Sequence, residues 1–243
     1  MDRSPLQQPV LIERAADVLT FTLNRPDAGN EISGAMFDAM TVALRSEAAE
    51  PIARVLRIRA IGEVFCTGRE RAGRDAASIH AEVARLIEFK RLVRNTSLIS
   101  IAEVQGDASG FGFGLAILCD FTLVSSSARL AFPEMRAGLP PAAIMAYAGR
   151  YALPKALFPM VLFGDPVTPD LAMQAGLVTR VCEPAALQEE ADELADRILA
   201  LDGAGARQCK AFFLAAQESP VDHNFRSATD MLTVNALRLM QTR

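Results

Sequence analysis

The chain has 243 residues, 51% apolar and 22% charged, and its formal net charge is −4. This composition is ordinary for a domain that buries one sizeable core, and the absence of a long basic run argues against nucleic acid as a partner. The four cysteines form no CxxC pair and only two histidines accompany them, so neither a metal site nor a disulfide framework is expected.

Targeting signals are not apparent in the sequence. The opening residues carry no apolar signal-peptide core, and no segment approaches the roughly 20 apolar residues of a membrane helix. We therefore expect a cytoplasmic protein without membrane association, whose cysteines stay reduced.

The first part of the chain alternates strands with helices. Apolar, β-branched runs at Val10–Glu13 and Val18–Leu23 predict a hairpin, and Ser33 is the expected N-cap of a helix over Gly34–Ala48. The following elements are predicted at Val55–Ala60 (strand), Ala76–Asn95 (helix), Leu98–Val104 (strand), Phe111–Cys119 (short apolar stretch) and Phe121–Ser125 (strand). Such alternation predicts an α/β layered core with right-handed crossovers.

The end of the chain changes to helices with no strand between them. Three stretches with apolar faces are predicted, at Ala185–Ala200, Gly205–Gln217 and Phe225–Met240. We therefore divide the chain into a core over residues 1–185 and a helical subdomain over residues 186–243. The subdomain is expected to cap the core or to form an oligomer interface.

The glycine-rich segment Val104–Leu115 carries the strongest functional signal. A buried strand leads into it and an apolar helix leads out. Glycine lets the backbone approach another group closely, and a helix N-terminus presents unpaired N–H groups, so together they suit a developing negative charge. Tight packing between helix and strand explains the glycines equally well. No GxGxxG, P-loop or GxSxG pattern occurs, so neither a nucleotide site nor a serine nucleophile is indicated.

A second glycine-bearing loop, Glu63–Glu70, follows the strand predicted at Val55–Ala60. Two loops that follow parallel strands can each direct one backbone N–H to the same oxygen. Two such donors at a thioester oxygen would stabilise the enolate that forms when a proton leaves the neighbouring carbon.

Five segments, in the same order, resemble the crotonase superfamily, the enoyl-CoA hydratase/isomerase family. They are Val18–Ala28 (opening strand and Asn-Arg-Pro turn), Phe65–Glu70 (Phe-x-x-Gly-x-Asp loop, with Glu70 for the aspartate), Ile101–Asp120 (second oxyanion loop and helix), Ala131–Pro141 (Pro-Glu-x-x-x-Gly-x-x-Pro) and Ala172–Val181 (Ala-x-x-x-Gly-Leu-Val). The resemblance implies an α/β fold built as a spiral of ββα units with a C-terminal helical subdomain. It also implies an acyl-CoA substrate, with coenzyme A as part of the substrate and no separate cofactor, and association as a trimer or a dimer of trimers.

The resemblance assigns the catalytic groups. The oxyanion hole would consist of the backbone N–H groups of Arg69 and Phe111, and the proton-transferring acid would be Glu134. The apolar neighbours Phe132 and Leu139 are expected to raise the pKa of Glu134. The Arg69 side chain is expected in solvent, at coenzyme A phosphates or against an acidic acyl group, and the Phe111 ring is expected to reshape the acyl site.

The resemblance also implies contacts with coenzyme A. The residues at the matching positions are Arg25, Ala28, Gly68 and Gly110, with Arg71 or Arg74 as further phosphate ligands. Each arginine is equally well interpreted as a solvated surface residue.

Gly114 stands where hydratases of the family carry the first of two glutamates. The nearby acids Asp107 and Asp120 are expected to act in a turn and at a helix end. One acid suits the transfer of a proton between two carbons of a 3-enoyl chain, so an isomerase with Glu134 as shuttle is favoured. A hydratase, decarboxylase or hydrolase with another second group, and a silent acyl-CoA-binding homologue, remain alternatives.

Overall fold

The computed structural model describes residues 8–241, and within this range the strands form two sheets. The strands are β1 Val10–Ala15, β2 Val18–Leu23, β3 Val55–Ala60, β4 Val64–Cys66, β5 Ile99–Val104, β6 Asp107–Ser109, β7 Phe121–Ser125, β8 Leu130–Ala131 and β9 Arg180–Cys182. The large sheet has the order β1-β2-β3-β5-β7-β9, with β1 and β2 antiparallel and the other neighbours parallel. The small sheet is parallel throughout and has the order β4-β6-β8.

Helices follow the strands in a regular order. They are α1 Gly34–Ala49, α2 Ala76–Asn95, α3 Phe111–Leu118, α4 Ala142–Ala148, α5 Pro154–Phe163, α6 Pro169–Gln174, α7 Leu187–Leu199, α8 Gly203–Ala216 and α9 Val221–Gln241, with 3-10 turns at Pro26–Ala28 and Pro133–Ala137. In the units β3-β4-α2 and β5-β6-α3 one strand joins the large sheet, the next joins the small sheet, and a helix follows. Strands β7 and β8 repeat this pattern, and a 3-10 turn follows them. The predicted spiral of ββα units is confirmed.

The longer predicted elements are confirmed, and the shortest strands were not predicted. The Ser33 side chain caps α1 by accepting a hydrogen bond from the amide of Met36 at 3.3 Å. Strand β4 lies within the segment predicted as a loop after β3, and β6 and β8 lie in segments assigned no strand. Each has only two or three residues, too few for an alternating pattern to be detectable.

Helix α7 covers one face of the large sheet. Its apolar residues Leu187, Ala191 and Ile198 pack with Val55 and Ile101 of the sheet in one buried cluster. The cluster therefore makes α7 part of the core.

The protein divides into two compact units, one ending at Leu201 and the other beginning at Asp202. The division comes after α7 rather than near residue 185, because the apolar face of α7 is buried on the sheet. The second unit consists of α8 and α9, and Arg238 of α9 pairs with Asp202, the N-cap of α8, at 2.7 Å.

The first seven residues, where the sequence predicts no signal peptide, and the last two lie outside the described residues. Among residues 8–241 no helix has both the length and the apolar character that crossing a bilayer requires.

Candidate active site

The small sheet brings the three predicted catalytic residues together. Arg69 follows β4, Phe111 follows β6 and Glu134 follows β8. Because the three strands are parallel neighbours, the segments that leave their carboxyl ends emerge at one edge of the sheet. The central position of β6 places the Phe111 segment between the other two.

Thr67 connects the loops around this edge. Its amide donates to the carbonyl oxygen of Gly29 at 2.9 Å, and its own carbonyl oxygen accepts from the Ser109 hydroxyl at 2.9 Å. The turn at Pro26–Ala28, the loop after β4 and the loop after β6 are thereby joined. These three segments contain Ala28, Gly68 and Gly110, three of the residues expected to contact coenzyme A.

A glycine allows α3 to pack directly against the end of β4. A Cβ at Gly112 would lie 2.2 Å from the carbonyl oxygen of Cys66. The two loops that carry the expected oxyanion donors are held at this close approach. Burial raises the pKa of the Cys66 thiol to about 12, and the neutral thiol donates to the carbonyl oxygen of Gly68 at 3.2 Å. Cys66 is therefore a packing residue at neutral pH.

Both expected donor amides lack an acceptor among the described residues. Ile32 pairs with the loop through the carbonyl oxygen of Gly68 and the amide of Glu70, so the amide of Arg69 is directed away from Ile32. Phe111 is the first residue of α3, where an N–H group has no intrahelical acceptor. Across residues 8–241, neither amide donates to another protein group.

The side chains of the two donor residues point to other elements. Arg69 Nη1 lies 3.7 Å from Glu82 Oε2 on α2, and burial lowers the pKa of its guanidinium. The Phe111 ring is buried and stands edge-on to Phe37 with ring centroids 5.1 Å apart. It also lies tilted beside Phe89, at 6.4 Å. Both side chains thus anchor the donor loops to helices.

Arg25 contacts the loop after β4, which carries Glu70. Its guanidinium pairs with Glu70 Oε1 at 2.6 Å and donates to the carbonyl oxygen of Glu31 at 2.8 Å. Glu70, which replaces the aspartate of the family pattern, is thus the partner of an arginine expected to contact coenzyme A. Of the two further arginines, Arg71 acts electrostatically on Glu134, and Arg74 precedes α2, where its amide donates to Ser78.

Glu134 reaches the loop after β6. Its Oε1 lies 3.0 Å from the place that a Cβ at Gly110 would take, and Gly110 has φ of +53°, so both contact and conformation favour glycine there. Its Oε2 is buried, with no hydrogen-bond partner among the described residues. Burial raises the pKa of Glu134, against the opposing effects of its own backbone amide, Lys90 and Arg71, which confirms the expected direction. Of the predicted apolar neighbours, Phe132 is buried and Leu139 is exposed.

The space at Gly114 is filled by two polar groups. A Cβ at Gly114 would lie 2.7 Å from the Tyr147 hydroxyl oxygen and 3.1 Å from Lys90 Nζ. Neither residue was identified from the sequence. Lys90 left a signal, because it occupies the buried stripe of α2 between Phe89 and Val93. Tyr147 left none, since its segment was assigned no element.

The other acids near the glycine-rich segment bind neighbouring segments of the small and large sheets rather than acting in a turn and at a helix end. Asp107 accepts a hydrogen bond from the amide of Arg129 at 2.9 Å. Asp120 accepts from the amide and the hydroxyl of Ser100, at 2.7 and 2.8 Å. No group of three or more His, Cys, Asp or Glu side chains in the described part of the chain could hold a metal ion.

Comparisons with known proteins agree with this architecture. The family model described as enoyl-CoA hydratase/isomerase matches residues 13–237. Carnitinyl-CoA dehydratase of Salmonella typhi is 30% identical over 233 residues, which are 91% of this chain and 86% of that protein. The 2,3-dehydroadipyl-CoA hydratase of Escherichia coli K12 is 28% identical over 235 residues, 93% and 90% of the two chains. The crystal structure of an enoyl-CoA hydratase of Mycobacterium smegmatis has a TM-score of 0.90 at 29% identity, covering 94% and 91% of the chains. The chain therefore belongs to the enoyl-CoA hydratase/isomerase family of the crotonase superfamily.

Proposed function

We propose that this enzyme shifts the double bond of a 3-enoyl-CoA to the 2-position, with Glu134 as the residue that removes the proton from C2. The amides of Arg69 and Phe111 would receive the negative charge on the thioester oxygen. Coenzyme A would lie along the turn and loops that contain Arg25, Ala28, Gly68 and Gly110.

One observation supports an isomerase most directly. Among residues 8–241, Glu134 is the one carboxylate at this edge of the small sheet whose buried oxygen has no hydrogen-bond partner, and the family's other acid position is Gly114. Its raised pKa suits a group that must both accept and release a proton near neutral pH. The free amides of Arg69 and Phe111 suit the transient charge.

A hydratase is the second candidate. The relatives described above are named as hydratases or a dehydratase, and addition of water to a 2-enoyl-CoA also places negative charge on the thioester oxygen. This candidate requires a second proton-carrying group in place of the acid missing at Gly114.

The test supplies the purified protein separately with a short 3-enoyl-CoA and a 2-enoyl-CoA. We expect conjugated thioester absorbance to grow from the 3-enoyl substrate without a change of mass. Glu134→Gln should reduce this rate by about 10²-fold or more while coenzyme A binding, measured by calorimetry, stays unchanged. Glu183→Gln, which alters an exposed glutamate, is the matched control.

The alternatives give different results in the same assay. A product heavier by one water from the 2-enoyl substrate would select the hydratase. Binding of coenzyme A without turnover of either substrate would select a silent homologue and overturn the proposal.

Self-association is a further part of the proposal. The second unit exposes large apolar side chains, namely Phe213, Phe225, Leu232, Leu237 and Met240. Exposed apolar surface of this kind is typical of subunit interfaces. We expect light scattering to give the mass of a trimer or hexamer, and Leu232→Asp to lower it. A monomeric wild type would contradict this expectation.

A further inference from the structure

A buried lysine lies beside the catalytic edge of the small sheet. Lys90 is 5% exposed, and its Nζ lies 2.9 Å from the Tyr147 hydroxyl and 5.2 Å from the centroid of the Phe111 ring. No carboxylate in the described range comes within ion-pair distance of this nitrogen. Burying an ammonium without a counter-ion is costly, and an apolar residue of similar size would fill the same space at lower cost.

The ammonium and the Glu134 carboxylate flank the same turn of chain. A Cβ at Gly110 would lie 3.0 Å from Glu134 Oε1, and a Cβ at Gly114 would lie 3.1 Å from Lys90 Nζ. The amide of Gly114 donates to the carbonyl oxygen of Gly110 at 3.0 Å, so the two positions are the two ends of the first turn of α3. The amide of Phe111 belongs to the same turn.

Tyr147 fixes the position of this nitrogen. Its hydroxyl donates its single hydrogen to the carbonyl oxygen of Gly114 at 2.6 Å, and it therefore accepts from Lys90. One N–H of the ammonium is used in this contact, and two remain for a substrate atom. Tyr147 is thus a positioning residue, and Lys90 is the group that it positions.

We propose that Lys90 is a second catalytic residue, which delivers a proton to C4 of the acyl chain after Glu134 has removed one from C2. The inference rests on the proposed function, because it uses the same substrate and the same dienolate, but it replaces the return of the proton by Glu134 with delivery by Lys90. It assigns to Lys90 the place that a glutamate at Gly114 would take in a hydratase.

The step balances without a further reactant. The C2–H bond breaks, Glu134 gains the proton, and the electron pair forms a dienolate whose charge lies on the thioester oxygen. One N–H bond of Lys90 then breaks as the C4–H bond forms, the double bond moves to C2–C3, and the thioester carbonyl is restored. Glu134 is left protonated and Lys90 neutral, and exchange through water resets both.

The electrostatic setting is consistent with this role. Burial lowers the pKa of Lys90 to about 7, against the opposing effect of Glu134, so that the ammonium can release a proton near neutral pH. The other titratable group beside Lys90 Nζ is Tyr147. Burial raises the pKa of Tyr147 well above its usual value, so its hydroxyl stays neutral. Arg71 acts on Glu134.

The experiment follows a 3-enoyl-CoA in deuterium oxide by mass spectrometry and NMR. With the wild type we expect conversion to the 2-enoyl product, with solvent deuterium at C4. With Lys90→Met we expect conversion to fall about 10²-fold or more while deuterium still enters C2 of the unconverted substrate, since Glu134 is intact. Removing a buried charge should leave the fold intact, and Lys155→Met, which alters an exposed lysine, is the control.

Tyr147→Phe tests the positioning role. For the wild type we expect kcat/KM to fall as the pH rises through the pKa of Lys90. In Tyr147→Phe this fall should occur at a different pH. In Lys90→Met the residual activity should show no such fall. A variant that only destabilised the fold would lower the rate without changing the pH at which kcat/KM falls.

Each outcome separates the two proposals. Wild-type conversion rates in Lys90→Met, or a rise confined to KM, would overturn the catalytic role of Lys90 and leave that of Glu134 standing. The absence of both conversion and C2 exchange in the wild type would overturn the proposed function and this inference with it. Loss of C2 exchange in Glu134→Gln, but not in Lys90→Met, would support both.

Discussion

The hydroxyl oxygen of Tyr147 lies 2.6 Å from the carbonyl oxygen of Gly114 and occupies the space into which any side chain at that position would extend. A side chain at residue 114 and the Tyr147 hydroxyl therefore exclude each other in this conformation of Tyr147. Lys90 Nζ, 3.1 Å from the place of a Cβ, is the tip of a flexible side chain and would have to move only slightly.

This exclusion predicts the behaviour of Gly114→Glu. We expect the substitution to lower the free energy of unfolding by about 1–3 kcal/mol, because the new side chain overlaps the Tyr147 hydroxyl. Adding Tyr147→Phe removes the overlapping oxygen and should recover part of the loss. Urea denaturation of the single and double variants gives the coupling energy, and strictly additive effects would contradict the prediction.

Gly112→Ala tests the close approach of α3 to β4. The added methyl group would lie 2.2 Å from a backbone oxygen, which no change of rotamer can relieve. We expect a loss of about 1–3 kcal/mol in the free energy of unfolding and a fall of about 10²-fold in kcat/KM, since the donor amides move apart.

The matched control is Gly149→Ala. A Cβ at Gly149 meets no atom within 4 Å, and its φ of −65° suits any residue. This variant should retain both stability and activity. Equal effects of the two substitutions would show that the approach at Gly112 does not position the donors.

The lowered pKa of Lys90 makes stability depend on pH. Between the folded pKa of about 7 and the usual value of 10.5, the unfolded chain holds a proton that the folded protein has released. The free energy of unfolding should therefore rise with pH over this interval, by up to about 1.4 kcal/mol per pH unit from this group. Below pH 7 the contribution is constant, because both states are protonated.

Denaturation curves at several pH values check this sign. Lys90→Met should lose the rise that the wild type shows above pH 7, whereas Lys155→Met should keep it. Parallel pH dependences of the wild type and Lys90→Met would contradict the prediction.

Glu47 of α1 is a structural carboxylate outside the site. It is 1% exposed, accepts from the amides of Ile52 and Ala53 at 3.0 Å each, and pairs with Arg14. Glu47→Ala leaves the buried amide of Ala53 without an acceptor and removes the partner of Arg14, so we expect a loss of about 2 kcal/mol in the free energy of unfolding. Glu50→Ala, on the exposed end of the same helix, should change stability by less than about 0.5 kcal/mol in the same denaturation experiment.

The sequence predicted the longer elements well because their signals are local. The cap at Ser33 and the apolar runs of β2 and β3 each lie within a few consecutive residues. The small sheet was missed because its strands are short and pair only with distant segments. The predicted boundary near residue 185 lies before α7 and the structural division lies after it, because the amphipathic pattern of α7 does not reveal which element its apolar face packs against.

The same distinction holds for the candidate site. Glu134 and the loops around Arg69 and Phe111 lie in recognisable motifs. The pair of Lys90 and Tyr147 does not, since the two residues are 57 positions apart and meet only through the packing of α2, α3 and α4. A lysine on the apolar stripe of a helix was the one trace of this pair in the sequence.

Both expected oxyanion donors are main-chain amides, and this has a consequence for how such an enzyme can diverge. Substitutions at residues 69 and 111 change what the loops are anchored to without deleting a donor. If the proposed roles hold, point mutations would rarely remove the groups that activate the thioester, whereas the proposed proton-transferring groups are side chains that one mutation can replace. New reactions can arise on this scaffold by exchanging side chains around an unchanged activating centre, and Lys90 beside Gly114 is an arrangement of the kind that such exchange produces.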